Sequence, residues 1–240
     1  TRQRADVVCL QETKAQRHQL DDRLYHPRSF HDYFVDAEKK GYSGVAIYAR
    51  REPDAVITSL REAADGAAAW DEFDREGRYV EARFGKLSVV SLYLPSGTSG
   101  DERQAVKMRF LDRFGRHLDA LARSDRQYVF CGDWNIAHKR IDIKNWRSNQ
   151  KHSGFLPEER AFLDEVFDRK GYVDAFREID PREAQYTWWS NRGQAYANNV
   201  GWRIDYQVLS PSLQGTVAKA RIYRDKKFSD HAPLIIDYAW

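Results

Sequence analysis

An acid and an amide stand two positions apart at Asp133 and Asn135, directly after Gly132 and the apolar run Tyr128-Val129-Phe130-Cys131. A carboxylate and an amide presented together can hold a water, a metal ion or a phosphate. The competing reading is an Asx-rich turn that merely ends a strand. Three other short stretches carry matching equipment. They are Gln11-Glu12-Thr13-Lys14 after Val7-Val8-Cys9-Leu10, Arg203-Ile204-Asp205 before Val208-Leu209, and Ser229-Asp230-His231 before Leu234-Ile235-Ile236. Each sets acids or an imidazole beside a predicted strand, and the recurrence weakens the turn-only reading.

The elements that must position these groups follow from periodicity. Tyr128–Cys131 reads as a strand covered on both faces, with Gly132 as the point where the backbone bends. If extended geometry persisted through Trp134, Asp133 and Asn135 would point to one side. Further strands are expected at 33–35, 44–48, 55–57, 79–84 and 87–94, several alternating apolar with polar as half-exposed antiparallel strands do. Val106, Phe110, Leu111, Phe114, Leu118 and Leu121 recur at helical spacing and predict a helix over 101–123. A second helix opens at Pro157, with Glu158 and Glu159 favourable near its positive end, Phe162, Leu163, Val166 and Phe167 on its buried face, and Gly171 as its stop. Strand runs interspersed with long helices give a layered α/β body. Residues 1–4 read as the end of a helix running into the first strand, and a preceding strand is expected upstream of them.

Six stretches together resemble the exonuclease III family of apurinic/apyrimidinic endonucleases, within the endonuclease/exonuclease/phosphatase superfamily. They are Leu10-Gln11-Glu12-Thr13-Lys14, Tyr93-Leu94-Pro95-Ser96-Gly97, the run 132–138 beginning Gly132-Asp133-Trp134-Asn135, the run 154–160 beginning Gly154-Phe155-Leu156-Pro157, the run 199–206 ending Trp202-Arg203-Ile204-Asp205-Tyr206, and Ser229-Asp230-His231-Ala232-Pro233. They stand in the family's order across nearly the whole chain. The resemblance implies one catalytic domain over 1–240, folded as a four-layer α/β/β/α sandwich with two facing mixed sheets flanked by helices. The family's opening strand, with its Asn-x-Gly motif, has no counterpart in this sequence.

What the resemblance implies about chemistry is specific. Glu12 is the expected magnesium ligand, with Asp230 as a further or outer one and manganese as a substitute metal. Asp133 is expected to orient and deprotonate the attacking water, and Asn135 to donate its amide to the phosphate. His231 is expected to hydrogen-bond the phosphate while Asp205 accepts from its other ring nitrogen. Tyr93, at the end of an apolar strand, reads either as a phenol reaching the phosphate or as a capping core residue. Trp188, Trp202 and Ile204 align with the family's apolar pocket for a flipped, base-free sugar. Trp189 is read as core, and Asn149 as a phosphate contact. The implied activity is repair of double-stranded DNA by cleavage 5′ to abasic sites, leaving a 3′-hydroxyl, with 3′–5′ exonuclease and 3′-phosphatase or 3′-phosphodiesterase activity alongside. A less selective nuclease or phosphoesterase, and a DNA-binding module without catalysis, are the alternatives.

Composition sets outer bounds. Thirty-nine lysines and arginines oppose 36 acids, and this net charge of +3 does not by itself imply nucleic acid. Its local distribution is more informative: Lys139, Arg140, Lys144, Arg147 and Lys151 crowd one loop, and Arg221, Arg224, Lys226 and Lys227 precede the last motif. Either cluster could also be a solubilising surface. Cys9 and Cys131 lie in apolar runs and are expected as free buried thiols, which suits a reducing cytoplasm. No run approaches the roughly 18 apolar residues of a membrane helix. A monomer without membrane partners is expected.

Overall fold

The computed structural model describes residues 3–64 and 68–239, in two compact units. Thr1 and Arg2, where the expected leading helix end begins, lie outside the described residues.

The first unit comprises residues 1–93 and 125–132. Its strands are β1 (Val7–Gln11), β2 (His31–Val35), β3 (Val45–Ala49) and β4 (Ala55–Ile57), followed, after the short helices α1 (Leu60–Ala63) and α2 (Asp71–Asp74), by β5 (Tyr79–Phe84), β6 (Leu87–Tyr93) and β7 (Gln127–Asp133). Strand β3 pairs antiparallel with both β1 and β2. Strands β4, β5, β6 and β7 lie side by side in that order. Alternation explains the core: Val45, Ile47 and Ala49 of one sheet and Val80 and Ala82 of the other turn inward and pack together with Tyr93. Two inner faces rich in β-branched residues make this unit a sandwich.

Gly132 does not bend the chain. Strand β7 continues through it to Asp133. A Cβ on Gly132 would stand 1.9 Å from the Leu92 carbonyl oxygen, so the residue must be glycine for close backbone approach inside the sheet. The thiols of Cys9 and Cys131 are free but only half-buried.

The second unit comprises residues 94–124 and 133–240. It contains the long helix α3 (Asp101–Ala122), α4 (Trp146–Asn149), α5 (Pro157–Asp164), β8 (Val173–Asp174), α6 (Ala175–Ile179), β9 (Asp205–Leu209), β10 (Val217–Ile222) and β11 (Leu234–Tyr238). Strands β8 and β9 pair antiparallel, as do β10 and β11. Helix α5 gives way at Glu165 to a wider π-turn segment ending at Arg169, and Gly171 follows with φ +74°.

The buried face of α3 includes a charge. Lys107 and Glu159 both have 0 % side-chain exposure, and Lys107 Nζ lies 2.6 Å from Glu159 Oε1. Glu159 is the helix-start acid expected from sequence, but a fully buried one. Its Oε2 accepts the backbone N–H groups of Gly154 (2.6 Å) and Leu156 (3.0 Å), and Oε1 also accepts from Gln104 (3.1 Å). Removing one member of such a pair leaves a buried charge uncompensated. Lys107→Met is therefore expected to lower unfolding free energy by about 3–5 kcal/mol in urea titration, and a loss under about 1 kcal/mol would contradict the assignment.

Candidate active site

The expected site residues fall in both units. Glu12 and Tyr93 belong to the first; Asp133, Asn135, Asn149, Trp188, Trp202, Ile204, Asp205, Asp230 and His231 belong to the second.

In the first unit, Glu12 follows the end of β1 with φ +51°, a conformation that non-glycine residues adopt only when the surroundings enforce it. Its turn is tied down: Thr13 and Lys14 donate their N–H groups to the carbonyls of Gly44 (3.1 Å) and Ser43 (2.8 Å). The Glu12 carboxylate accepts the Tyr93 phenol through Oε1 and lies 2.6 Å from Lys14 Nζ through Oε2. Tyr93 is itself buried, with the Arg78 guanidinium 4.8 Å from its ring centre and bonded to its carbonyl at 3.0 Å. Tyr93 is thus a core residue whose hydroxyl serves the Glu12 carboxylate.

In the second unit, Asp133 is buried and its Oδ1 accepts the Asn135 N–H at 2.7 Å. Extended geometry does not persist through Trp134. Asn135 has φ +53°, the left-handed region that asparagine tolerates better than most residues. The turn is fixed from beneath, because Lys107 Nζ donates to the Asn135 carbonyl at 2.8 Å, and the Asn135 side-chain amide donates to the Leu94 carbonyl at 2.9 Å. Gly154 closes against the same turn, where a Cβ would meet the Trp202 ring at 3.0 Å and the Asn135 carbonyl at 3.2 Å.

His231 and Asp205 face each other through Nδ1, which lies 3.1 and 3.0 Å from the two carboxylate oxygens. Burial works against an imidazolium here. The Asp205 charge and hydrogen bond outweigh it, with Asp133 and Asp230 adding to the same side, and the His231 pKa rises from 6.5 to about 10. The ring is therefore cationic at neutral pH, with Nδ1–H committed to Asp205. Burial likewise raises Asp230, but the Ser229 hydroxyl, the His231 charge and the Trp188 indole prevail and hold its pKa below the usual range. Trp188 Nε1 donates to Asp230 at 3.2 Å.

Thr187, which sequence reasoning missed, gathers these segments. It has no exposure; its N–H donates to the Trp202 carbonyl, its carbonyl accepts the Ala232 N–H, and its hydroxyl oxygen accepts both the Ile204 and Asp205 N–H groups at 3.1 and 3.2 Å. A threonine beside two tryptophans carries no distinguishing signal in one sequence. Trp188 forms isolated bridges to Trp202 and to His231. The rings of Trp188 and Trp202 meet edge to face at 6.2 Å, and both pack on a cluster of Ala137, Ile143, Phe155 and Ile204. Trp189 is fully buried, as its core reading requires.

The wall holding Trp202 rests on buried charge. Arg203 bonds Asp142 at 2.8 Å and Asp174 at 2.7 Å, and Arg177 also reaches Asp142. Burial would raise the Asp142 pKa, yet the two guanidiniums hold it far below the carboxylate range. A cavity of about 480 Å³ lined by this network contains none of the expected site residues. In the basic loop, the guanidiniums of Arg140 and Arg147 stack on Trp146 at 4.2 and 4.5 Å, and Asn149 spends one amide hydrogen on the Asn145 carbonyl at 2.8 Å.

The donor chemistry suits a hard divalent cation. Among the described residues no three His, Cys, Asp or Glu side chains form a closed cage. Magnesium does not need one, since it keeps several waters and takes one or two carboxylates. Glu12, partly exposed and held by a phenol and an ammonium, and Asp230, held ionised, are oxygen donors of that kind.

The chain matches the endonuclease/exonuclease/phosphatase family over residues 1–231, a family of metal-dependent nucleases. It is 38% identical over 231 residues to an exodeoxyribonuclease of Bacillus subtilis, covering 96% of this chain and 86% of the relative. It is 36% identical over 234 residues to a DNA repair nuclease of Danio rerio, covering 96% and 72%. The structure of an AP endonuclease from Archaeoglobus fulgidus superimposes with a TM-score of 0.84 at 28% identity, over 97% of this chain and 88% of that one. The fold expected from sequence, an α/β sandwich of mixed sheets with flanking helices, is the fold shared with that structure. No helix among the described residues is long and apolar enough to cross a membrane.

The raised His231 pKa gives a signed expectation. Stability contributed by the His231–Asp205 pair is fully present below the ordinary value of 6.5 and is lost as pH rises through about 10. In an NMR titration the His231 ring should stay protonated across pH 6 to about 8.5, and Asp205→Asn should bring its pKa down to or below the ordinary value. Titration of the wild-type ring near 6.5 would contradict the pairing.

Proposed function

The chain belongs to the endonuclease/exonuclease/phosphatase family, and from that premise we propose that it is a DNA-repair phosphodiesterase that cuts duplex DNA 5′ to an abasic site and leaves a 3′-hydroxyl. The same reaction centre serves 3′–5′ exonuclease and 3′-phosphatase or 3′-phosphodiesterase action, because each breaks a phosphoester bond at a strand's 3′ side. The observation that carries the proposal is the His231 ring, aimed by Asp205 through Nδ1, in the same unit as the buried Asp133 and the Trp188–Trp202 cluster.

In the proposed reaction a water oxygen forms the new bond to phosphorus, its proton passes to the Asp133 carboxylate, and the bond to the leaving 3′ oxygen breaks. That oxygen takes a proton from solvent water to become the 3′-hydroxyl, and Asp133 returns its proton to solvent. The Asn135 amide, with one hydrogen already committed to Leu94, has a second to offer a phosphate oxygen. His231 donates from Nε2 to another non-bridging oxygen, and its positive charge meets the charge that grows there. Asp205 keeps the ring oriented and protonated. Each of Glu12, set by Tyr93, and Asp230 is a carboxylate that would hold magnesium, or manganese in its place, which when bound supplies Lewis-acid stabilisation of phosphate charge. Trp188, Trp202 and Ile204 accept the flipped base-free sugar and exclude an intact nucleotide. Asn149 and the cations of the 139–151 loop contact the phosphate backbone, which fixes register and carries no base information.

Residues 1–240 form one catalytic domain in this reading. The protein works as a monomer on duplexes with abasic or 3′-blocked lesions, and its unpaired thiols suit a reducing cytoplasm.

Asp133→Asn tests the proposal because it keeps shape and removes the base. Incision of an abasic duplex should fall at least about a hundredfold, while affinity for the same duplex stays within about twofold. A folded variant with near-normal turnover would remove Asp133 from its role.

A further inference from the structure

The loop joining β10 to β11 holds an aromatic ring out into solvent. Phe228 is 64 % exposed. Within residues 221–228, four cations (Arg221, Arg224, Lys226, Lys227) face one acid (Asp225), a local excess of +3. Apolar rings left in water are common singly and need no explanation. This one differs in how it is supported.

The loop beneath Phe228 is tied down on several sides. Tyr223 donates its N–H to the Pro233 carbonyl at 2.9 Å, and the Tyr196 hydroxyl donates to the Arg224 carbonyl at 3.1 Å. The Arg224 guanidinium stands 4.9 Å from the Trp189 ring centre and 5.1 Å from that of Tyr196, and it bonds Asn199 at 3.2 Å. Lys227 Nζ reaches Asn191 Oδ1 at 3.2 Å. On this base Phe228 stacks against Tyr223 at 6.0 Å and 21°, and the Lys226 ammonium lies 5.4 Å from its ring centre. A plane fixed from below, flanked by cations and three residues before His231, loses little conformational freedom when something stacks on it.

We infer that Phe228 is a stacking platform for a nucleobase of the DNA substrate, with Lys226 and Lys227 drawing in the adjoining phosphates. The inference rests on the nuclease reading above and deepens it. Every nucleobase offers an aromatic face, so stacking tolerates any sequence, and phosphate is the anion that travels with it. Inside an intact duplex those faces are covered by neighbouring pairs. They are uncovered beside a missing base, at a nick and at a frayed end. The platform therefore favours damaged or broken duplex over intact duplex and adds a recognition element outside the sugar pocket.

The test uses the whole chain and two fluorescently labelled duplexes, identical except for one abasic residue, with binding followed by anisotropy in EDTA over a salt series. Incision of the abasic duplex by the wild-type protein in magnesium is measured alongside. Phe228→Ala should weaken binding to the abasic duplex roughly tenfold or more, and to the intact duplex by less than about twofold, without changing the salt slope. Phe228→Trp should bind as the wild type does, which also shows that the loop folds. Lys226→Gln should reduce the salt slope by about one on both duplexes. Equal losses on both duplexes, or none, from Phe228→Ala in a protein that incises would overturn the inference alone; selective loss of binding to an aromatic or acidic peptide would do the same. A wild-type protein that fails to incise would overturn the nuclease reading, and the inference with it.

Discussion

A lysine and a glutamate with no access to water hold the turn on which the second unit's proposed site residues depend. Lys107 comes from the second turn of α3 and Glu159 from the first turn of α5, so their contact fixes two helices relative to each other. The same ammonium reaches the Asn135 carbonyl, and the same carboxylate holds the N–H groups of Gly154 and Leu156. A buried ion pair often contributes little net stability against an apolar substitute. What this one supplies is placement: it keeps Asn135 left-handed and Gly154 pressed against Trp202, which joins the Asn135 turn to the Trp202 cluster.

Electrostatics around His231 follow the same pattern of burial opposed by a designated partner. Desolvation alone would leave a neutral imidazole, a weaker donor to phosphate. Asp205 reverses that outcome, and Thr187 holds Asp205 by its backbone while holding the chain beside His231 through Ala232. Arg203 with Asp142 and Asp174 does comparable work behind Trp202. Three polar clusters therefore stand behind three segments of the proposed site, each largely hidden from solvent. The site's precision comes from these supports rather than from the loops that display it.

The sequence made most of the strands, though not β8 or β10, helix α3 and the polar strand ends legible because each has a local signature: alternation, helical spacing, or acids beside an apolar run. The supports were not legible, since their meaning is relational. Lys107 sits one position from Val106 in the helix and reads as an ordinary surface cation until the fold buries it. Glu159 reads as a favourable helix-start acid, which it is, while its larger role lies 52 residues away in sequence. Gly132 has the composition of a bend and the function of a close approach to Leu92, and only strand pairing separates the two. The left-handed Asn135 could not be told from an extended one by residue type alone. Family resemblance supplied the site residues as a set; periodicity could not have done so.

The central claim is that these residues form a metal-dependent centre selective for damaged DNA, and the most direct measurement is incision of three duplexes compared side by side. One carries an abasic residue, one a nick with a blocked 3′ end, and one no damage, each with and without magnesium. The account predicts magnesium-dependent cleavage 5′ to the abasic residue and cleaning of the blocked end, with the undamaged interior left intact. Indiscriminate cutting of all three, or cleavage that persists after the metal is chelated, would contradict it.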